Sequence, residues 1–546
     1  MKSAISVREA ALMALIDIEK NKAYSSVAIG RQARRIETDP GPDNSDVGTR
    51  DKAFLNELVY GVIKRKVSID YIINSFSKLP EKRINTTIKN IMRLGVYQAV
   101  FLDKVPVSAV CNESVKLAKK HGHAGSVKFV NAVMRKIVSA DQAGLMPKRP
   151  DESVYAAFAA PEPHPVEITS LPERQQLAAA TATPEQRQPA AVTAVPERHS
   201  AAFTGIEPTE QVVRFLSAYY SYPEWLCERW LLRYGAKFAE ELMVSFNETP
   251  DFVVRANRLK TSKDELCGRL LQRGYCVKDA PYVNDALIIE NPAGFSNTEE
   301  FKNGLFTVQG VSSMLCVKAL APKPGDRIID MCGAPGGKCG YIAELTENNT
   351  DVLSIDVYEH KMGLMEQNIA RLGLTCIKPR LMDSEVYQPQ LKDSADKVIV
   401  DAPCSGFGSL RKKPEIKWAR SKEGIVELAR IQRAMLDNAA KYVKVGGVLV
   451  YCVCTTEPEE GEEVVEGFLR THDNFQGHGL PHCEPFNKGI PDLCDYTIGG
   501  ERMASAPTPA ADPRHTGWSG YDMRLFPNLH CGIDGFYIAK LIRSEY

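Results

Sequence analysis

Two cysteines are placed to do chemistry together: Cys404 in Val-Asp-Ala-Pro-Cys-Ser-Gly-Phe-Gly (Val400 to Gly408) and Cys454 in Tyr-Cys-Val-Cys-Thr (Tyr451 to Thr455). Each lies just past an apolar run, Lys397 to Val400 and Gly447 to Tyr451, that reads as a buried strand. Ligands of open α/β sheets bind outside the carboxyl ends of the strands, so both thiols can reach one substrate. A thiolate there can form a covalent intermediate and split one difficult step into two easier ones.

Upstream, Asp330-Met-Cys-Gly-Ala-Pro-Gly-Gly-Lys338 joins a strand-like run to a helical one. Its glycines let backbone close on a ligand at a helix N-terminus. Gly337-Lys338 matches the end of a phosphate loop, but that loop needs Gly at 332 and Ser or Thr at 339, and both positions are Cys. A nucleotide-triphosphate site is excluded. Asp356 ends the next strand-like run, where an acidic residue accepts hydrogen bonds from a ribose diol. A helix cap is the alternative reading of Asp356. The turn alone fits NAD, FAD or S-adenosylmethionine.

The elements that must position these residues fall into segments. Strand-like runs alternate with helical ones from residue 306 to 546, which predicts a mostly parallel, doubly wound sheet closed by Phe536 to Leu541. Residues 476–520 interrupt that alternation as a long loop. Residues 209–305 mix helical and β patterns and predict a small α+β module. Residues 149–208 are rich in Ala, Pro, Glu, Gln and Thr and carry a degenerate twelve-residue repeat (Leu171-Pro-Glu-Arg, Thr183-Pro-Glu-Gln, Val195-Pro-Glu-Arg). Such a segment is predicted to be a disordered linker. Residues 1–148 keep apolar residues at helical spacing and predict an all-α bundle. That first segment holds 25 Lys and Arg against 14 Asp and Glu, a local excess hidden by a net charge of zero over 546 residues. A basic face of this kind fits nucleic-acid contact as well as it fits a solvated surface. No apolar run approaches the roughly 18 residues that span a bilayer. No secretory signal is predicted, and 14 cysteines without a Cys-x-x-Cys pair predict neither a disulfide framework nor a zinc site.

Methylation of cytosine at carbon 5 needs this kind of thiol chemistry, because that carbon is a poor nucleophile until a thiolate adds to carbon 6. Asp330 to Lys338, Asp401-Ala-Pro-Cys-Ser-Gly406 with Arg411-Lys-Lys-Pro-Glu-Ile-Lys-Trp418, and Tyr451 to Glu462 together resemble three motifs of the NOL1/NOP2/Sun family of RNA cytosine-5 methyltransferases. Ala53 to Gly61, Arg93 to Gln98, Val105-Pro106 and Phe129 to Arg135 resemble the NusB-like domain of its bacterial 16S ribosomal RNA branch, the RsmB (Fmu or Sun) type. Val254-Arg-Ala-Asn257 and Phe306 to Ser313 are similar to that branch's intermediate segment. The resemblance implies a NusB-like all-α RNA-binding domain over 1–148, an α+β RNA-binding module over 209–305, and a Rossmann-like class I methyltransferase domain over 306–546.

By the same resemblance Cys454 is the nucleophile, Cys404 assists product release, and Asp401 contacts the cytosine ring and the cofactor side of the pocket. Cys332, Gly333, Ala334, Pro335, Gly336, Gly337 and Lys338, with Asp356, Asp383 and Asp401, would hold S-adenosyl-L-methionine. Asp383 lacks the Gly-Asp context usual in the family. The implied substrate is small-subunit ribosomal RNA before full assembly, met by a cytoplasmic monomer with no metal and no membrane. Transfer RNA or 23S rRNA is an alternative substrate. A DNA cytosine methyltransferase would use Cys404 as nucleophile, and an idle NusB-like RNA-binding or antitermination factor would need neither thiol.

Overall fold

The computed structural model describes residues 5–36, 45–102, 105–146, 208–480, 497–498, 501–502, 521–530 and 532–545. The repeat linker and most of the 476–520 loop lie outside the described residues. The chain divides into two compact units, Met1–Pro147 with Glu241–Tyr546, and Lys148–Glu240. The second is described over the helices Glu210–Tyr220 and Glu224–Asn247; the latter is broken at Gly235 (φ 76°) and runs past the unit boundary.

Seven helices form the amino-terminal part of the first unit: α1 (Val7–Asn21), α2 (Ser25–Ile36), α3 (Ser45–Lys64), α4 (Lys66–Phe76), α5 (Thr86–Val100), α6 (Val107–His121) and α7 (Ala124–Gln142). Ser6 starts α1 by accepting from the Glu9 amide, and Asn85 starts α5 by accepting from Thr87. Their apolar stripes meet in one core that includes Leu12, Leu55, Leu58, Val59, Ile91, Leu94, Val130 and Met134. Arg93 is buried within it and forks onto Asp70 at 2.7 and 2.6 Å, tying α5 to α4.

A four-stranded antiparallel sheet in the order β2-β3-β1-β4 follows, from β1 (Val253–Ala256), β2 (Cys276–Asp279), β3 (Ala286–Glu290) and β4 (Phe306–Val308). Val254, Ala256, Leu287 and Ile289 share a face covered by Leu266 and Leu270 of the helix Lys263–Gln272.

The remaining strands are β5 (Arg327–Asp330), β6 (Asp351–Asp356), β7 (Ile377–Leu381), β8 (Ala395–Asp401), β9 (Val443–Val453), β10 (Phe475–Gly477), β11 (Thr497–Ile498), β12 (Glu501–Arg502), β13 (Asp522–Leu525) and β14 (Phe536–Arg543). Among the described residues β11 and β12 pair with each other. The large sheet runs β10-β14-β9-β8-β5-β6-β7, with β13 beside β14. Strands β5 to β9 pair in parallel, and β14 lies antiparallel to β9. From β5 the chain winds outward through β6 and β7, then resumes on the other side with β8 and β9. The crevice between β5 and β8 is therefore the topological switch point. The turn after β5, the tip of β6 and the loops after β8 and β9 share its carboxyl rim.

The predicted fold class is the one observed: a helical domain, a small α+β module and a doubly wound sheet. The sequence reading found β5, β6, β8, β9 and β14 and missed β7, whose residues are mostly exposed, and the short β10 and β13; it also put β9 at Gly447 to Tyr451, four residues too late at its start. Among the described residues no helix is long and apolar enough to cross a membrane, and no cluster of His, Cys, Asp and Glu could hold a metal ion.

Candidate active site

Strand β8 ends at Asp401 and β9 at Val453, and the register pairs Asp401 with Cys452. Cys404 and Cys454 therefore leave the sheet side by side, and their Sγ atoms stand 3.3 Å apart. Two close-packed glycines hold the loops. The Gly408 amide donates to the Cys454 carbonyl at 3.0 Å, and the Gly535 amide donates to the Gly408 carbonyl at 2.9 Å. A Cβ at Gly408 would lie 1.8 Å from the Gly535 oxygen, so only glycine fits there. Glu460, fully buried, accepts from the Ser405 amide at 2.7 Å, from Gln432 Nε2 at 3.1 Å and from the Ser405 hydroxyl. Arg420 donates to the Ser405 and Cys404 carbonyls at 3.0 and 3.4 Å. The loop carrying Cys404 is thus fixed on both sides.

The two thiols are electrostatically unequal. The hydrogen bond from Cys404 holds the Cys454 thiol below its ordinary value, against the opposing effect of burial, with Lys413 and Lys338 adding attraction for the thiolate. The same hydrogen bond, with burial, pushes Cys404 well above the ordinary range. The pair thus favours a thiolate on Cys454 over one on Cys404. Cys452 is fully buried, with its Sγ 3.8 Å from Asp401 Oδ1, and packs as strand alternation expects.

Asp401 Oδ2 receives the Lys338 ammonium at 2.5 Å. Burial works against the Lys338 charge, but Asp401 together with Cys452 and Cys316 outweighs it and holds the ammonium well above its usual range. Lys338 thereby links the turn after β5 to the tip of β8. Within that turn Gly336 adopts φ 103° and starts the helix Gly337–Leu345. A Cβ at Gly333 would fall 2.0 Å from Ser354 Oγ and 2.8 Å from Asp330 Oδ2, so the backbone closes against the floor formed by β5 and β6. Burial pushes the Cys332 thiol well above its usual value, which makes it a packing group. Asp356 is buried at the tip of β6 and accepts from the Tyr358 amide at 3.0 Å, with Lys361 Nζ at 3.7 Å. A Gly-rich turn and a carboxylate on adjacent strand tips fit an adenosyl ligand. Asp383, just past β7, is exposed and its Oδ1 accepts from the Glu385 amide at 2.9 Å.

The structure thus brings Cys404, Cys454, Asp401 and Lys338 together and sets Cys332 to Gly337 and Asp356 on the same rim, with Asp383 at its outer end. Glu460, Arg420, Lys413 and the Gly408–Gly535 contact went unassigned in sequence. Glu460 and Lys413 lie inside the quoted motifs, but the partners of their side chains named above are 28 or more residues away in the chain.

A doubly wound sheet with an antiparallel last strand, a Gly-rich turn after β5 and this polar rim belongs to the Rossmann-like methyltransferases. The family model described as 16S rRNA methyltransferase RsmB/F matches residues 317–542. The NusB family matches 5–139, and a ferredoxin-like domain of RsmF/B-like methyltransferases matches 222–296. The probable ribosomal RNA small subunit methyltransferase B of Bacillus subtilis is 31% identical over 86% of this chain and 90% of its own length. Its namesake from Synechocystis sp. is 29% identical over 88% and 93%. The crystal structure of PH0851 superposes with a TM-score of 0.69 at 22% identity, covering 100% of both chains, and shares the fold. The chain belongs to the RsmB/F family of 16S rRNA methyltransferases.

Proposed function

We propose that this protein transfers a methyl group from S-adenosyl-L-methionine to carbon 5 of one cytosine in 16S rRNA, through a covalent bond between Cys454 and carbon 6. The observation that carries this reading is the thiol pair: two cysteines 3.3 Å apart, of which Cys454 has its thiolate favoured. S-adenosylmethionine supplies an electrophilic methyl on a sulfonium. Cys454 adds to carbon 6 and pushes the ring's electron pair to carbon 5, which takes up that methyl as its bond to sulfur breaks and the thioether S-adenosylhomocysteine leaves. Removal of the proton on carbon 5 then restores the 5,6 double bond and expels the Cys454 thiolate.

Asp401 and its Lys338 partner face the developing charge on the ring. Cys404, alongside the nucleophile, assists the elimination. Cys332 to Lys338 with Asp356 hold the adenosyl group, and Asp383 contributes from the outer edge. A base must leave the helical stack to reach this rim, which fits RNA not yet locked into an assembled subunit. The basic amino-terminal domain supplies phosphate contacts.

The test is incubation with 16S rRNA and methyl-labelled S-adenosylmethionine, followed by nucleoside analysis and bisulfite mapping. One 5-methylcytidine is expected. Label in another nucleoside, or none, overturns the reading.

A further inference from the structure

The segment Arg411–Arg420 runs from the thiol rim to the helical domain, and two of its residues meet consecutive residues at the start of α2. Glu415 Oε1 accepts from the Ser25 amide at 3.0 Å, and its Oε2 accepts from Ser25 Oγ at 2.7 Å, all buried. A carboxylate 390 positions away in the chain therefore caps the N-terminus of α2, where the helix dipole favours it. Lys413 Nζ lies 5.4 Å from the centre of the Tyr24 ring, and that same ammonium favours the Cys454 thiolate. Further along, Trp418 Nε1 donates to the Ile63 carbonyl of α3 at 3.2 Å, and Lys66 Nζ stands 5.2 Å from the Trp418 ring. The segment ends at Arg420, which grips the Cys404 and Ser405 carbonyls.

One short stretch of chain is thus anchored in the helical domain at Glu415 and Trp418 and on the catalytic loop at Arg420. A binding module that served RNA affinity alone would need no such link. We propose that Glu415 is a positioning residue for the thiol pair: through Ser25 it makes the docked helical domain part of the catalytic apparatus, so that turnover as well as RNA affinity depends on this contact. The inference rests on the methyltransferase reading above.

The test uses the full-length chain with Ser25→Ala, Glu415→Ala, Glu415→Gln and the Ser25→Ala/Glu415→Ala double variant. At saturating RNA and S-adenosylmethionine, Glu415→Ala should lower kcat about 5- to 50-fold while KM for RNA changes less than about twofold. The double variant should be no slower than Glu415→Ala, because both remove one contact. Glu415→Gln keeps the side-chain volume and one acceptor; it should recover part of the rate, and it carries the test if the alanine variant does not fold. Alkylation of Cys454 by iodoacetamide, followed by mass spectrometry without RNA, should titrate at a higher pH in Glu415→Ala than in wild type. The groups facing that thiol are Cys404, Asp401, Lys413 and Lys338, and the variant loosens the first and third. Wild-type kcat with a raised KM for RNA, or an unchanged alkylation profile, would show that the contact only docks the domain. Absence of 5-methylcytidine from the wild-type reaction would instead overturn the function and leave the alkylation result to judge the positioning.

Discussion

Cys404 Sγ and Cys454 Sγ stand 3.3 Å apart, well beyond the roughly 2.05 Å of a disulfide bond, and the hydrogen bond between them makes one thiol acidic at the other's expense. That inequality assigns the roles to be tested. Cys454→Ala should abolish methylation and leave no covalent RNA complex. Cys404→Ala should still attack and methylate but release slowly, so that a protein–RNA adduct survives denaturing electrophoresis. A DNA-type enzyme would show the reverse, an adduct only when Cys454 is replaced.

Glu460 holds the Cys404 loop through Ser405, and its carboxylate is the acceptor for two buried donors of that residue. Glu460→Ala leaves the Ser405 amide without that acceptor and the Ser405 hydroxyl with Thr455 Oγ1 alone, which costs about 1–3 kcal/mol. We expect a lower melting temperature by calorimetry and a kcat reduced by roughly 10- to 100-fold, because the thiol pair loses its fixed geometry. Glu460→Gln should recover most of the stability. Wild-type kcat in the alanine variant would show that the loop is held by other contacts.

Gly408 and Gly535 pack backbone to backbone beneath the rim. Gly408→Ala places a methyl 1.8 Å from the Gly535 carbonyl oxygen, which must move. A loss of about 2–4 kcal/mol in urea unfolding is expected, with activity falling alongside. Gly268→Ala is the control, since nothing lies within 4 Å of a Cβ there and the residue sits inside a helix. That substitution should stabilise by about 0.5–1 kcal/mol.

Asp330 is fully buried, and desolvation pushes its carboxyl up to about 7 despite the nearby Cys332 amide. Lys338 partly offsets this, while Asp401 and Asp356 add to it. Because the folded value lies above the unfolded one, this group favours folding at low pH. Its contribution is complete below about pH 4 and is lost as pH rises through about 7. Asp330→Asn should therefore raise the melting temperature most at pH 8, less at pH 5, and change it little at about pH 4 or below. The gain at pH 8 should be on the order of 2–4 kcal/mol, after allowance for the neighbouring Lys338. An equal change at all these pH values would mean that Asp330 stays ionised in the folded chain.

The sequence by itself determined which residues could carry chemistry and which elements would hold them. Apolar runs ending just before Asp-Ala-Pro-Cys and Val-Cys-Thr are local signals, since burial of a parallel strand needs continuous hydrophobic residues and its tip needs a polar group. Position 332 and position 339, both Cys, excluded a phosphate loop without any coordinates. In the amino-terminal domain helical spacing marked α1, α3 and α5, and Pro106 marked the start of α6; α2, α4 and α7 were not singled out.

Tertiary structure decided the pairings. Lys338 and Asp401 are 63 positions apart and become an ion pair only because β5 and β8 are neighbours at the switch point. The resemblance alone offers Asp383 as a cofactor ligand; the fold places it exposed just past β7, with Oδ1 accepting from the Glu385 amide. The inequality of the two thiols depends on a 3.3 Å approach and on burial, and the cap that Glu415 places on α2 crosses 390 positions. Hydrophobic periodicity is a property of a single element. Register, close approach and desolvation are properties of elements packed together, and they decide which of these cysteines and carboxylates can act.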